Sequence, residues 1–123
     1  MNLQQFYLSP NGRVGRADWW LKYIVAFGVI SIVAVVLDNG LGLTFGEQET
    51  GVISLLVAVL TIYPAIVVTI KRFHDRNKSG WWVLIALVPL LGAFWILIEC
   101  GFLRGTVGPN RFGPDPLGRP AMA

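Results

Sequence analysis

The sequence predicts an all-α integral membrane protein, with three transmembrane helices at about 19–37, 52–70 and 81–102 and a Gly/Pro-rich C-terminal tail. Two observations carry this. Of 123 residues, 54% are apolar and only 14% are charged. That is more apolar surface than a domain of this size can hide, because small domains bury a smaller share of their chain. The charges also fall in short clusters with long apolar runs between them. At this length the chain is one membrane domain, 1–123, made of an N-terminal segment (1–18), the spans, a basic cytoplasmic connection (71–80) and the tail (103–123).

Each span follows from its own run. The first, WWLKYIVAFGVISIVAVVL, carries one charge, Lys22, close enough to its start for the ammonium to snorkel to the headgroups. It starts late and runs into LDNGLGL rather than a small-x-small cleavage site, so a retained span is expected, not a signal peptide. The second, VISLLVAVLTIYPAIVVTI, has no charge over 19 positions, close to the ~20 helical residues that a bilayer core needs. Pro64 removes one amide from its middle and frees the carbonyl one turn back; Thr61 or a neighbouring helix is expected to satisfy it. The third, beginning WWVLIALVPLLGAFWILI, is uncharged over 18 positions but interrupted by Pro89 and Gly92. A single kinked helix is the first expectation and a re-entrant hairpin turning at Pro89 the alternative.

Charge sets the topology. The first connection, 38–51, carries Asp38, Glu47 and Glu49 and no base. The second carries Lys71, Arg72, Arg76 and Lys78 against Asp75, and the N-terminal segment adds Arg13 and Arg16. Basic residues stay on the cytoplasmic side, so the N-terminus is expected inside. Three full spans then put the tail bases Arg104, Arg111 and Arg119 outside; a hairpin would bring them in and satisfy the rule better.

Three polar segments hold the chemistry: SPNGRVGRADWW (9–20), KRFHDRNKSGWW (71–82) and GTVGPNRFGPDPLGRP (105–120). The first two form a loose internal echo of bases, an aspartate and a tryptophan pair opening an apolar run. Interface anchoring accounts for much of this: Trp19, Trp20, Trp81 and Trp82 suit the headgroup layer, and each neighbouring base adds about 1 kcal/mol at an anionic surface. His74 beside Asp75 goes further, as a pH-sensitive pair whose arginine neighbours suit a phosphate or carboxylate. A metal-dependent phosphohydrolase would need more histidines, and His74 is the only one. The tail is expected to pack back on the membrane domain, with Asp115 paired to a base and Phe112 in the headgroup layer. Glu99, the acid in the third run, lies about one turn from Arg104, and local pairing explains it. Cys100 stands alone, which excludes an internal disulfide and a site of several thiolates, and packing accounts for it.

GRVGRADWW, KRFHDRNKSGWW and GPNRFGPDP in this order resemble the domain-of-unknown-function 805 family (DUF805), small YhaH-like inner-membrane proteins of bacteria. The resemblance covers nearly the whole chain. Phe73 stands where the family often has leucine, and Lys71-Arg72 where it often has two arginines. Arg13, Arg16, Arg72, His74, Asp75, Gly80, Trp81, Asn110, Arg111 and Asp115 match its motifs. The resemblance implies a multi-pass inner-membrane protein and no particular activity.

The functional expectation is a non-enzymatic membrane component that binds anionic lipid or a partner protein through its basic loop. Arg13, Arg16, Arg72, His74, Asp75, Arg76, Asn110, Arg111 and Asp115 are the candidate binding residues. The alternatives are a small transporter or channel subunit working as an oligomer, with Glu99 and the prolines on its path, and a lipid-headgroup enzyme using His74 and Asp75. No cofactor, metal or nucleic acid is expected. The expected partners are membrane lipids, further copies of the chain or another membrane protein.

Overall fold

The structure, a computed structural model, describes residues 2–119; positions 120–123 of the expected tail lie outside the described residues. Two long helices, Arg16–Leu41 and Val52–Asp75, run side by side. Both are long and apolar enough to cross a bilayer, yet only 6% and 17% of their apolar stretches are buried. The core helix of a soluble protein would be mostly covered; these turn valines, leucines and isoleucines outward along most of their length.

The first long helix begins as α-helix at Arg16–Asp18, runs as π-helix over Trp19–Val25 and continues as α-helix from Ala26 to Leu41. It stops at Gly42, whose φ of 68° lies in the left-handed region that glycine enters without a Cβ clash. A short antiparallel ribbon pairs Thr44 with Gly51 and Phe45 with Thr50. The second long helix begins at Val52, where the apolar run begins, but extends past the expected end at 70 to Asp75. At Pro64 the Thr61 hydroxyl donates to the Val57 carbonyl at 2.7 Å, so it serves an earlier carbonyl than the one proline leaves free.

The third apolar run departs from the expected single helix. Gly80–Leu87 is a 3₁₀ segment and Leu91–Gly101 an α-helix, and the two fold back on each other. Ile85 meets Gly92, Trp82 stacks on Trp95 at 5.9 Å, and Lys78 reaches Glu99 at 2.6 Å, so contacts run in opposite directions along the two arms. The turn needs Gly92, because a Cβ there would lie 1.9 Å from the Ile85 carbonyl oxygen. It also holds Leu90 at a φ of 63°, which a leucine adopts only when its surroundings impose it. The hairpin turning near Pro89 therefore describes this segment, and the single kinked 81–102 helix does not.

An N-terminal helix, Leu3–Leu8, is an element the apolar pattern did not predict. It is set by a capping box in which the Gln5 amide donates to Asn2 Oδ1 at 2.8 Å and the Asn2 amide to Gln5 Oε1 at 3.3 Å. The buried apolar cluster of Phe6, Val14, Trp19, Val68, Phe73 and Cys100 lies where this helix, the two long helices and the hairpin base converge. The core is thus at one end of the molecule, and that end carries the polar motifs.

Candidate functional site

Asp75 is the centre of the polar end. It ends the second long helix and is 2% exposed. Arg13 meets its Oδ1 with Nη2 at 2.9 Å and Nε at 3.0 Å, and Arg72 Nη1 meets its Oδ2 at 2.8 Å. Both guanidiniums are buried, so the three charges depend on one another; a buried ion removed from its partner is costly. The remaining guanidinium donors reach main-chain carbonyls. Arg13 donates to Gly108 at 2.6 Å, Thr106 at 2.5 Å and Gly113 at 3.2 Å, while Arg72 donates to Cys100 at 2.7 Å and to Leu103. The planar five-donor fork of arginine suits this branching. The Thr106 amide in turn donates to the Asp75 carbonyl at 2.7 Å. Gly105 passes so close that a Cβ would lie 1.8 Å from Asp75 Oδ2.

The N-terminal segment and tail close over this centre. The Lys71 ammonium, buried at the same level, donates to the Gln5 carbonyl at 2.7 Å and the Phe6 carbonyl at 3.2 Å, at the negative end of the N-terminal helix. His74 Nδ1 lies 3.0 Å from the Gly12 carbonyl, which accepts and so assigns the proton to Nδ1. Its ring stacks on Phe112 at 4.0 Å and 4°. Asn110 donates from Nδ2 to the His74 carbonyl at 2.9 Å and accepts the Phe112 amide at 2.8 Å, which fixes the tail turn. Arg111 donates to the Asn77 carbonyl at 3.1 Å. Asp115 accepts the Gly108 amide at 2.8 Å and pairs with Arg119 at 2.7 Å. That guanidinium, with the Leu117 and Gly108 amides, holds the Asp115 carboxyl well below the usual carboxylate range.

The expected site residues therefore divide. Arg13, Arg72, His74, Asp75, Asn110 and Asp115 come together from three distant stretches: Arg13 and Arg72 hold Asp75, Asn110 holds the His74 carbonyl, and Asp115 braces the tail through Gly108 and Arg119. Arg16, Arg76 and Arg111 stay on the periphery. Arg16 donates to the Phe102 carbonyl at 2.8 Å and Arg76 Nη1 to that of Arg104 at 2.6 Å. The tail packs back as expected, with Asp115 paired to a base, and Phe112 stacks on His74. Glu99 is reached by Lys78 at 2.6 Å and by Arg76 at 3.6 Å, both from the second connection. The tryptophans divide too. Trp19 is 2% exposed within the core and Trp20 donates to the Gly101 carbonyl at 2.7 Å, so that pair is packed against the hairpin base. Trp81 and Trp82 face outward.

Sequence reasoning missed Asp38, which it counted among the acids of an outer loop. This residue is 1% exposed and accepts the Ile53 and Ser54 amides and the Ser54 hydroxyl at 2.8, 2.8 and 2.7 Å. It caps the second long helix from the end of the first. The signal that something must do so was present: Gly51 has no side chain with which to cap Val52. Among the described residues, no group of three His, Cys, Asp or Glu gathers to hold a metal ion.

Two helices of membrane-crossing length, a short apolar hairpin and a polar clasp joining three separated motifs define a class of small helical membrane protein. The clasp is built from the segments the family motifs mark. The family model "Protein of unknown function (DUF805)" matches residues 7–114, and the chain belongs to that family. It is 34% identical over 110 residues to the "Inner membrane protein YhaH" of Escherichia coli K12, covering 89% of this chain and 88% of that one. It is 32% identical over 111 residues to the "Inner membrane protein YhaI" of the same organism, covering 89% and 87%. The "Uncharacterized protein YiiR" of that organism is 30% identical over 139 residues, covering 94% and 90%. No solved structure matches the chain.

Proposed function

We propose that this is a non-enzymatic inner-membrane component whose clasped basic end lies at the cytoplasmic face and holds anionic lipid headgroups. One observation carries the reading. The hairpin returns the tail to the end that holds the N-terminal segment and the second connection, so all ten Lys and Arg lie at that end. The opposite connection has Glu47 and Glu49 and no base. Under the positive-inside rule this is a far stronger bias than three full spans would give, and it favours both termini inside. The hairpin helix, 11 residues long, reaches about 16 Å at 1.5 Å per residue, roughly half the bilayer core. It would dip in from the basic side without crossing.

The same geometry weakens the other readings. Acid–base chemistry on His74 and Asp75 needs a carboxylate oxygen open to substrate, and both Asp75 oxygens are held by arginine. A path lined by Glu99 needs that acid facing the span, whereas it sits at the hairpin base among bases.

Fusions to the C-terminus test the orientation. A cytoplasm-active fluorescent reporter should be bright and alkaline phosphatase inactive; the reverse result would overturn the proposal. For lipid binding, purified protein should retain phosphatidylglycerol over phosphatidylcholine in native mass spectrometry. Equal retention would end that part of the reading.

A further inference from the structure

We infer that a groove at the hairpin base is a seat for one anionic phosphodiester lipid, with Arg76 and Lys78 as the phosphate ligands. This rests on the lipid reading above and names its site. The bases of the polar end are not equivalent. Arg13, Lys71 and Arg72 are buried and bound to protein oxygens. Arg76 and Lys78 are partly exposed and flank a groove of about 340 Å³ lined also by Trp95, Ile98, Glu99 and Leu103.

Charge in this groove is unbalanced. Two cations share the single Glu99 carboxylate, which also accepts the Trp95 indole N–H at 2.6 Å. The trio therefore carries a net charge of +1, which matches a phosphodiester. Arg76 Nε is buried with no hydrogen-bond partner among the described residues and lies 3.6 Å from Glu99 Oε1, too far for a direct bond. A buried, unused donor on a cation needs an acceptor. Lys78 Nζ is held 4.4 Å over the Trp82 ring, which keeps its ammonium at the groove edge.

The walls select a lipid over a free anion. Trp95, Ile98 and Leu103 continue from the charged trio as an exposed apolar strip on the outside of the hairpin. A phosphate at Arg76 and Lys78 lets the glycerol and the first acyl carbons lie along that strip, so polar and apolar parts are satisfied together. Glu99 is a positioning residue here: it sets the two bases side by side and touches the lipid only through them.

The test is native mass spectrometry of the purified full chain with phosphatidylglycerol, phosphatidylcholine and soluble glycerophosphoglycerol. The informative variant carries Arg76→Gln, Lys78→Gln and Glu99→Gln together, because removing the bases alone would leave a buried acid unpaired. Retention of phosphatidylglycerol should fall about fivefold or more, the effect of losing one net basic group at an anionic surface. Arg111→Gln, on the same face outside the groove, should retain it as wild type does. If the triple variant melts like wild type and keeps full retention, the groove is not the seat, and the broader reading survives wherever the wild-type preference persists. If wild type itself shows no preference, both fall together. Full competition by glycerophosphoglycerol would overturn the apolar half of the site. A triple variant that fails to fold is replaced by Ile98→Asp, which leaves the ion trio intact and should lower phosphatidylglycerol retention; unchanged retention would count against the seat.

Discussion

Two buried aspartates stand at opposite ends of the long-helix pair, and they are built alike. Asp38 is 1% exposed and Asp75 2%. Each has a glycine pressed against its carboxylate: a Cβ on Gly51 would lie 1.9 Å from Asp38 Oδ2, and one on Gly105 1.8 Å from Asp75 Oδ2. What differs is the partner. Asp38 accepts neutral donors, two amides and a hydroxyl at a helix N-terminus, where the exposed N–H groups favour an anion. Asp75 accepts two buried guanidiniums. The first joins consecutive elements across a short connection; the second joins stretches some 60 and 30 positions apart, as Arg13 and Gly105 stand to Asp75. One carboxylate closes a loop and the other closes the molecule.

That contrast orders the expected effects. Asp75→Asn should be the most damaging change, by about 3–5 kcal/mol, because it leaves two buried cations facing a neutral amide. Thermal unfolding in detergent reads it, and a melting temperature near wild type would refute the central role given to this carboxylate. Asp38→Ala should cost less, about 1–2 kcal/mol, since it strips a cap and leaves only neutral donors. Its mark should be local: faster amide exchange at Ile53 and Ser54, with protection of the 105–119 tail unchanged. Equal losses from the two substitutions would break the comparison.

The smallest effect is expected from acid. The folded-state carboxyl of Asp115 is held below its unfolded value, which is near 3.9. Its contribution to tail docking is therefore complete above about pH 5 and declines as pH falls through and below 4. Protection of the 105–119 amides, taken relative to the intrinsic exchange rate at each pH, should fall across that window, and Asp115→Asn should flatten the dependence. A tail whose protection rose on acidification would contradict the sign.

Much of the fold was legible because lipid imposes a simple rule on composition. Uncharged runs of 15 to 19 residues marked the two long helices, and Val52 marks the start of the second in both sequence and structure. The third run met the same rule and folded otherwise. Apolar composition reports that a segment is buried in lipid or protein, not whether it crosses. Here Gly92 against Ile85 makes the return possible, and a contact between residues on two arms has no one-dimensional signature. The two tryptophan pairs make the same point. Identical dipeptides opened two apolar runs; one pair entered the core against Gly101 while the other stayed outside, because only the first lies under the hairpin base.

The candidate residues were legible as motifs but not as a site. Arg13, His74-Asp75 and Asn110 each stood out by residue type, and nothing in their spacing said that they touch. Asp38 did not stand out at all, since an acid before Asn-Gly reads as a solvated turn.

The sequence by itself determined the apolar lengths, the clustering of charge and membership of a family defined by three motifs. These depend on local composition, which a bilayer reads one segment at a time. Only the tertiary structure decided that the third run doubles back, that the tail joins the basic end and that Arg13, Arg72 and Asp75 form one ion cluster. Those outcomes depend on what distant segments offer each other: a buried guanidinium is tolerable only where a carboxylate and free carbonyls arrive from elsewhere in the chain, and that arrival is a property of the fold.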